Sequence, residues 1–263
     1  MMILAKTPIP LQAVAQKSIL NEDHARDTMS SKYAFTPTKT ILQDLEADDW
    51  NIVAIMERKS RNPNLQSYSK HLVYLSKPDF SQEVDGVSPH LILENSHDGS
   101  SRFSLHVGLL VKLCGNGLVV SRGALPGHVN VRHMGYSVDE LRKTTNVFVK
   151  SAPSVLSLVQ EMKTKQLTSL QQKEMAVQAL SYVPNKHLTA EQVLVPRRVE
   201  SQVPNVWHTY NNIQENLFEG GLTYKITTNP DKPRMARTRQ VKNVDSIVGL
   251  NQKLFDVART YLN

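Results

Sequence analysis

Closely spaced arginines and lysines are the residues of this chain whose types and spacing could do chemistry, namely the binding of phosphate groups. One group consists of Arg58, Lys59 and Arg61. The second group lies within residues 225–242, where Asp231 is the only acid, and comprises Lys225, Lys232, Arg234, Arg237, Arg239 and Lys242. Both groups predict contacts with a nucleic-acid backbone, although runs of charge are also common in loops that are simply solvated.

A third basic set follows from an alternating pattern between Arg102 and Leu113. Apolar residues occupy every second position from Phe103 onward, and only Leu110 breaks the alternation, which is the period of a β-strand. Alternate side chains of a strand point to opposite faces. Arg102, His106 and Lys112 are therefore predicted to lie on an open cationic face which, together with Arg132 and the Arg58 group, would bind a polyanion.

Catalytic motifs are lacking in the sequence. It contains no Walker loop, no Gly-x-Ser-x-Gly elbow and no Gly-x-Gly-x-x-Gly. Nine histidines invite a metal hypothesis, and a metal-dependent nuclease would use His97, Asp98 and His128, but no histidine pair has the helical spacing of metal ligands. We predict no catalytic residue, no metal and no cofactor, and we favour a binding protein over an enzyme.

Composition agrees with an anionic partner. The 263-residue chain carries a net charge of +7 with a pI near 9.4, and 40% of its residues are hydrophobic, enough for a core. Cys114 is the only cysteine, which excludes an intrachain disulfide and fits a reducing cytoplasm. No run approaches the roughly 20 apolar residues of a membrane span. We expect a protein of the bacterial host cytoplasm that binds nucleic acid rather than membrane.

The elements predict an α+β fold, with an antiparallel β-meander in the N-terminal half, helices packed on one of its faces, and a mainly helical C-terminal half. The strand candidates are Trp50–Glu57, Lys70–Ser76, His90–Asn95, Phe103–Cys114, Leu118–Ser121 and His128–His133. Residues 1–30 are predicted to form a mobile arm or a segment that orders on a neighbour. Residues 31–136 would form a β-rich core, and residues 137–263 a helical region packed on it with a basic loop at 225–242.

Local signals place the helices. Thr36 and Pro37 fit an N-cap and a first helical residue, Ser137 with Glu140 and Thr168 with Gln171 fit capping boxes, and Pro153 predicts a break between two helices. Gly220 and Gly221 should end a helix that spans 206–218. A final helix carries an apolar stripe that must cover a core or another subunit, and its residues are Ile247, Leu250, Leu254, Val257 and Tyr261.

Several motifs together resemble a known family. They are Tyr33-Ala34-Phe35-Thr36-Pro37-Thr38, Asn95-Ser96-His97-Asp98-Gly99-Ser100, Lys112-Leu113-Cys114-Gly115-Asn116-Gly117-Leu118, and Trp207 followed by Tyr210-Asn211-Asn212-Ile213-Gln214-Glu215-Asn216-Leu217. The combination is similar to the phage- and plasmid-encoded domain-of-unknown-function family numbered 932, with Lys112 and Gly115 departing from its Arg-Leu-x-Cys-Ser-Asn-Gly pattern. This resemblance implies a phage or mobile-element origin. Family members remotely resemble RecT- and Erf-class annealing proteins, which pair a basic β-hairpin sheet with helices and form rings or filaments.

The motif residues also have structural interpretations. Asn95, Asp98 and Gly99 fit a tight turn, and Asn116 with Gly117 fits a hairpin turn. Trp207 fits a core position, whereas Asn211 and Gln214 could cap strands, line a subunit contact or hold a ligand.

Three functions follow as hypotheses. The first is a phage-encoded, self-associating protein that binds single-stranded DNA for annealing in replication or recombination. The second is an anti-defence or host-takeover protein that binds a host protein. The third is the metal-dependent nuclease described above.

Overall fold

The computed structural model describes residues 8–29, 33, 35–58, 60–100, 103–111, 117–120, 137–185, 187–226 and 234–262. The chain divides into two compact units, Met1–Leu156 and Ser157–Asn263. Strands dominate the first unit and helices the second, so the predicted α+β class is confirmed. The division falls inside a long helix and not at Ser137, where the sequence pattern changes.

Unit 1 is built on an antiparallel meander of five strands in the order β1-β2-β3-β4-β5. The strands are β1 (Asn51–Glu57), β2 (His71–Ser76), β3 (Val87–Asn95), β4 (Ser104–Val111) and β5 (Gly117–Val120). Each strand pairs with the next one along the chain, as predicted. The remaining strand candidate, His128–His133, lies outside the described residues.

The prediction of an open cationic face on β4 is wrong for the described part of that strand. Leu105 and Val107 are buried as expected, but His106, on the opposite face, is only 1% exposed. Its Nε2 lies 3.1 Å from Glu94 on β3, and Glu94 also lies 3.4 Å from Nζ of the buried Lys70. Because His106 and Lys70 are both paired with a buried carboxylate inside the unit, this face offers no open polyanion platform there. Arg102 and Lys112 lie outside the described residues.

Glu94 remains ionised within this buried group. Burial alone would raise its pKa, but the hydrogen bond from His106 and the positive charges of His106 and Lys70 hold the pKa of Glu94 below its ordinary value. The three side chains therefore form a buried polar cluster that connects Glu94 on β3 with His106 on β4 and with Lys70, the residue before β2.

Helix α1 (Thr38–Ala47) starts one residue later than predicted. Pro37 occupies the N-cap position with an extended backbone, and no side chain caps the helix. Thr36 is buried instead, and its carbonyl oxygen accepts a hydrogen bond of 3.1 Å from Nδ2 of Asn95 at the end of β3. The Thr36-Pro37 pair thus fixes where the chain enters α1 and does not act as a cap.

The hydroxyl of Thr38 is the centre of a buried hydrogen-bond network. It accepts from Asn95 Nδ2 at 2.9 Å and lies 2.8 Å from His71 Nε2 and 3.1 Å from His97 Nε2. The Nδ1 of His71 donates to the carbonyl oxygen of Ser69, and the Nδ1 of His97 donates to the carbonyl oxygen of Ser67. Since a hydroxyl has one proton, Thr38 can donate to one imidazole at a time. Burial lowers the pKa of both histidines against the opposing effect of their hydrogen bonds to the Ser69 and Ser67 carbonyls, so both imidazoles are neutral at neutral pH.

The segment 8–29, part of the predicted N-terminal arm, lies against unit 1. The amide of Ile9 donates to the carbonyl of Ile52 on β1 at 2.7 Å. Ile19 and Leu20, in a short 3₁₀ turn, are fully or almost fully buried. This segment therefore contributes side chains to the core.

The helices that follow are α2 (Val138–Thr164), α3 (Ser169–Ser181), α4 (Ala190–Leu194), α5 (Val206–Glu219) and α6 (Val244–Arg259). The predicted break at Pro153 is wrong, because α2 continues through it. Proline removes one backbone hydrogen bond, and the exposed Pro153 ring lies on the surface of this 27-residue helix.

Two other helix boundaries agree with the sequence signals. Thr168 and Gln171 form a reciprocal capping box at the start of α3. Helix α5 ends at Gly220, whose φ of 65° lies in the left-handed region that glycine adopts without strain.

The core of unit 2 surrounds α5. Trp207 and Tyr210 are at most 2% exposed, and the Tyr210 ring contacts Phe255 edge-on with centroids 5.8 Å apart. Ile247, Leu254 and Val257 of the predicted stripe on α6 are buried in the same unit. Within the described ranges, no helix combines the length and apolar content needed to cross a membrane.

The stability of the fold should fall on acidification, partly through His71. Burial lowers its pKa to about 3 in the folded protein, whereas an unfolded histidine has a pKa of about 6.5. Between these values only the unfolded state binds the proton. The contribution of neutral His71 to the free energy of unfolding is therefore complete above about pH 6.5. Below that value the free energy of unfolding falls by about 1.4 kcal/mol per pH unit. We predict a shallower pH dependence for His71→Gln than for the wild type in urea unfolding.

The matched control is His187→Gln, since His187 is an exposed histidine in unit 2. It should follow the wild-type pH dependence. Equal slopes for the wild type and His71→Gln would contradict the assignment.

Candidate nucleic-acid interface

The predicted basic loop at 225–242 contains a β-hairpin. Strands β6 (Thr223–Ile226) and β7 (Arg234–Arg237) pair antiparallel, with Lys225 opposite Met235 and Thr223 opposite Arg237. These four side chains share one face of the hairpin and are all exposed. Arg239 and Lys242, beyond β7, are exposed as well, whereas Lys232 lies outside the described residues.

The hairpin is attached to the C-terminal end of α5. The amide of Gly221 donates to the Thr238 carbonyl at 3.0 Å, and the amide of Val241 donates to the Phe218 carbonyl at 2.8 Å. A Cβ atom on Gly220 would lie 2.7 Å from the backbone of Arg239. Glycine is therefore required at position 220 both by its φ and by this close approach.

Asn216 on α5 supports the same region from inside unit 2. Its Nδ2 donates to the carbonyls of Val193 and Val195 at 2.9 and 2.8 Å, and its Oδ1 accepts from Arg197 Nε at 2.8 Å. Arg197 in turn donates to the Gly220 carbonyl at 2.6 Å. A continuous chain of hydrogen bonds thus connects the buried helix to the base of the hairpin.

The other polar residues of α5 have internal partners. Gln214 donates to Asn251 of α6 at 2.8 Å, Asn212 donates to the Ser201 carbonyl at 2.9 Å, and Asn211 donates to the carbonyl of Trp207 in its own helix at 2.7 Å. Asn211 and Gln214 are therefore buried and hydrogen-bonded within unit 2.

Two arginines in the loop after α4 were missed by the sequence analysis. Arg197 reaches Asn216, and Arg198 binds both carboxylate oxygens of Glu215 at 3.2 and 2.5 Å. The sequence offered one signal, the Glu215-Asn216 pair on a helix predicted to lie in the core, because buried polar groups need partners.

The first basic group lies in the connection between β1 and β2. Arg58 and Arg61 are exposed, and Lys59 lies outside the described residues. Gln66 folds this connection back on itself by donating to the Arg58 carbonyl at 3.0 Å and accepting from the Ser60 amide at 2.8 Å. The remaining predicted cation, Arg132, is also outside the described residues.

The Asn95–Ser100 motif combines an internal anchor with a turn. Asn95 holds α1 through Thr36 and Thr38. Asp98 accepts from the Ser100 amide at 2.9 Å, and Gly99 has a φ of 72°. Asn116 is outside the described residues, and Gly117 begins β5.

The nuclease hypothesis finds no support in this motif. Both ring nitrogens of His97 are engaged, with Thr38 and with the Ser67 carbonyl. Across the described ranges there is no cluster of three His, Cys, Asp or Glu residues suited to a metal ion. His128 lies outside those ranges.

Removal of the Asn216 side chain should destabilise unit 2 strongly. Asn216→Ala leaves the buried carbonyl of Val193, the part-buried carbonyl of Val195 and the guanidinium of Arg197 without this partner, so we predict a loss of about 3 kcal/mol in the free energy of unfolding. Asn211→Ala is the matched control, in the same helix and also buried. It should cost only about 1 kcal/mol, because the Trp207 carbonyl keeps its helix hydrogen bond.

Urea denaturation measures both losses, and hydrogen exchange reports their location. The amides of Gly221 and Thr238 should exchange faster in Asn216→Ala than in Asn211→Ala. Equal destabilisation by the two substitutions would show that the chain from Asn216 to Gly220 has no special role.

Known proteins provide the family context. Two proteins of Escherichia coli (strain K12), UPF0380 protein YfjQ and UPF0380 protein YafZ, are each 30% identical to this chain over 255 residues, which cover 93% of this chain and 88% of theirs. No solved structure matches the chain. Residues 26–254 match the family described as Domain of unknown function (DUF932), and the chain belongs to that family.

Proposed function

We propose that this protein binds single-stranded nucleic acid through the β6–β7 hairpin and acts as an annealing-type protein in replication or recombination of a phage or mobile element. The observation that carries the proposal is the concentration of exposed cations on and beside the hairpin. They are Lys225, Arg234, Arg237, Arg239 and Lys242. Such groups release counterions when they neutralise phosphates, which supplies affinity without base recognition.

The charges of the hairpin are available to a ligand. In the parts of the chain that the structure describes, none of these five side chains forms an ion pair with a carboxylate. Arg237 Nε donates to the Gly221 carbonyl at 2.8 Å, which orients the guanidinium and leaves its charge uncompensated. Solvated ion pairs therefore do not have to be broken before a phosphate binds.

Exposed side chains near these cations favour a single strand over a duplex. Met235, on the same hairpin face as Lys225 and Arg237, is 67% exposed. Tyr182, which lines a cleft together with Arg237 and Arg239, is 45% exposed, and the ammonium of Lys253 lies 5.2 Å from its ring centroid. Unpaired bases can stack on such surfaces, whereas the bases of a duplex are already stacked.

A protein partner is the second candidate function. Leu170 and Val177 of α3 are 67% and 60% exposed and stand seven residues apart, which places them on one side of the helix. An exposed apolar pair of this kind fits a contact with a host protein or with another copy of the chain.

Alanine substitution of the hairpin arginines tests the nucleic-acid proposal. The triple variant Arg234→Ala, Arg237→Ala and Arg239→Ala should bind a fluorescent single-stranded oligonucleotide more weakly. The slope of log affinity against log salt should decrease by about 2, since each phosphate contact on a single strand contributes about 0.7. Fluorescence anisotropy across a salt series measures both quantities.

A triple variant with the same charge loss is the control. Lys39→Ala, Lys143→Ala and Lys150→Ala remove three exposed cations from helices of unit 1. This protein should keep the wild-type slope. If the hairpin variant, with unchanged circular dichroism and melting temperature, binds as the wild type does, the hairpin is not the binding site.

A further inference from the structure

A cleft in unit 2 lies beside the basic hairpin. Its volume is about 740 Å³, and it is lined by residues of the β6–β7 hairpin, the segment after α3, the C-terminal part of α5, and α6. This volume is within the range of about 300–1,000 Å³ that is typical of small-molecule sites. The cleft is therefore large enough for a ligand with more than one functional group.

Gly249 of α6 keeps one side of the cleft open. A Cβ atom built at this position meets no other atom within 4 Å, so the space next to it is empty. Glycine inside a helix costs about 1 kcal/mol relative to alanine, and here neither positive φ nor a packing contact requires it. Access to the cleft is a physical reason for a glycine at this position.

The aromatic lining is preorganised. Tyr224 stacks on His187 with ring centroids 5.7 Å apart and an angle of 6° between the planes. Tyr182, the other aromatic residue of the lining, has its ring below the ammonium of Lys253. Rings held in this way favour contact with a planar ligand.

The charged lining favours an anion. It contains three cations, Arg237, Arg239 and Lys253, and one carboxylate, Asp245. Asn185 adds an amide that can both donate and accept. A planar ring system that carries hydrogen-bonding edges and an attached phosphate matches all three kinds of lining group.

We infer that this cleft binds one nucleotide unit of a single strand, with its base between the aromatic and apolar walls and its phosphate at the Arg237, Arg239 and Lys253 side. The inference rests on the proposed function and goes further, because it assigns a base-binding site next to the exposed hairpin face, with Arg237 shared by both. The hairpin supplies sequence-independent attraction, and the cleft fixes the position of one base.

Gly249→Leu tests the cleft without changing its charge. The leucine side chain would occupy the open space, so binding of an oligothymidylate of about 20 nucleotides should weaken by about fivefold to about a hundredfold, as expected for the loss of one stacked base. The salt slope should stay at the wild-type value, because no cation is removed. Gln178→Leu, an exposed position on α3 away from the cleft, is the control and should bind as the wild type does.

A mononucleotide separates this inference from the proposed function. The wild type and Gln178→Leu should bind dTMP saturably in a calorimetric or NMR titration, and Gly249→Leu should not. Inorganic phosphate should compete weakly. Gly249→Ala, which fits the space and favours the helix, should raise the melting temperature and so confirm that substitution at 249 is compatible with folding.

Each outcome decides a different question. Oligonucleotide binding that Gly249→Leu leaves unchanged would overturn the cleft and keep the hairpin proposal. Binding of dTMP that depends on Gly249, without oligonucleotide binding by the wild type, would identify a free-nucleotide site and reject the strand-binding function. Phosphate competing as well as dTMP would show an anion site with no base recognition and would also overturn the inference.

Discussion

The organisation of unit 2 depends on one constraint: α5 is buried around its whole circumference and yet carries amide and carboxylate side chains. A buried polar group without a partner costs free energy, so each of these side chains must find a hydrogen bond. Asn216 finds the carbonyls of Val193 and Val195 and the guanidinium of Arg197. Arg197 then fixes the carbonyl of Gly220, where the chain leaves α5 for the hairpin. The hydrogen bonds of Asn216, a buried polar residue of the core helix α5, thus help to fix the position of the basic hairpin.

Unit 1 also contains buried polar side chains that require hydrogen-bond partners, but they are arranged differently. Its buried polar groups meet at the Thr38 hydroxyl and at Glu94, between elements that are distant in sequence. Two of the motifs that mark the family, at the start of α1 and after β3, come together at Thr38. These motifs therefore have a structural role, and the groups suited to ligand binding lie on exposed elements such as β6 and β7.

Local signals predicted most of the fold. Turn and cap residues such as Thr168, Gln171 and Gly220 act within a few positions, so the helix boundaries and the meander were readable. The face of β4 was misjudged because the burial of His106 depends on Glu94 and Lys70, which are neighbours only in the folded sheet. Pro153 was misjudged because its neighbours on α2 tolerate one missing hydrogen bond. The basic loop was predicted, whereas the cleft was not, since it joins residues of four elements.

The most direct test of the account is the binding of the wild-type protein to matched single-stranded and duplex oligonucleotides across a salt series. Binding to the single strand should be tighter, with log affinity falling linearly against log salt at a slope of about −0.7 per phosphate contact. Five hairpin cations would give a slope of at most about −3.5. Failure to bind either oligonucleotide at low salt would rule out nucleic-acid binding by the hairpin and would favour a protein partner.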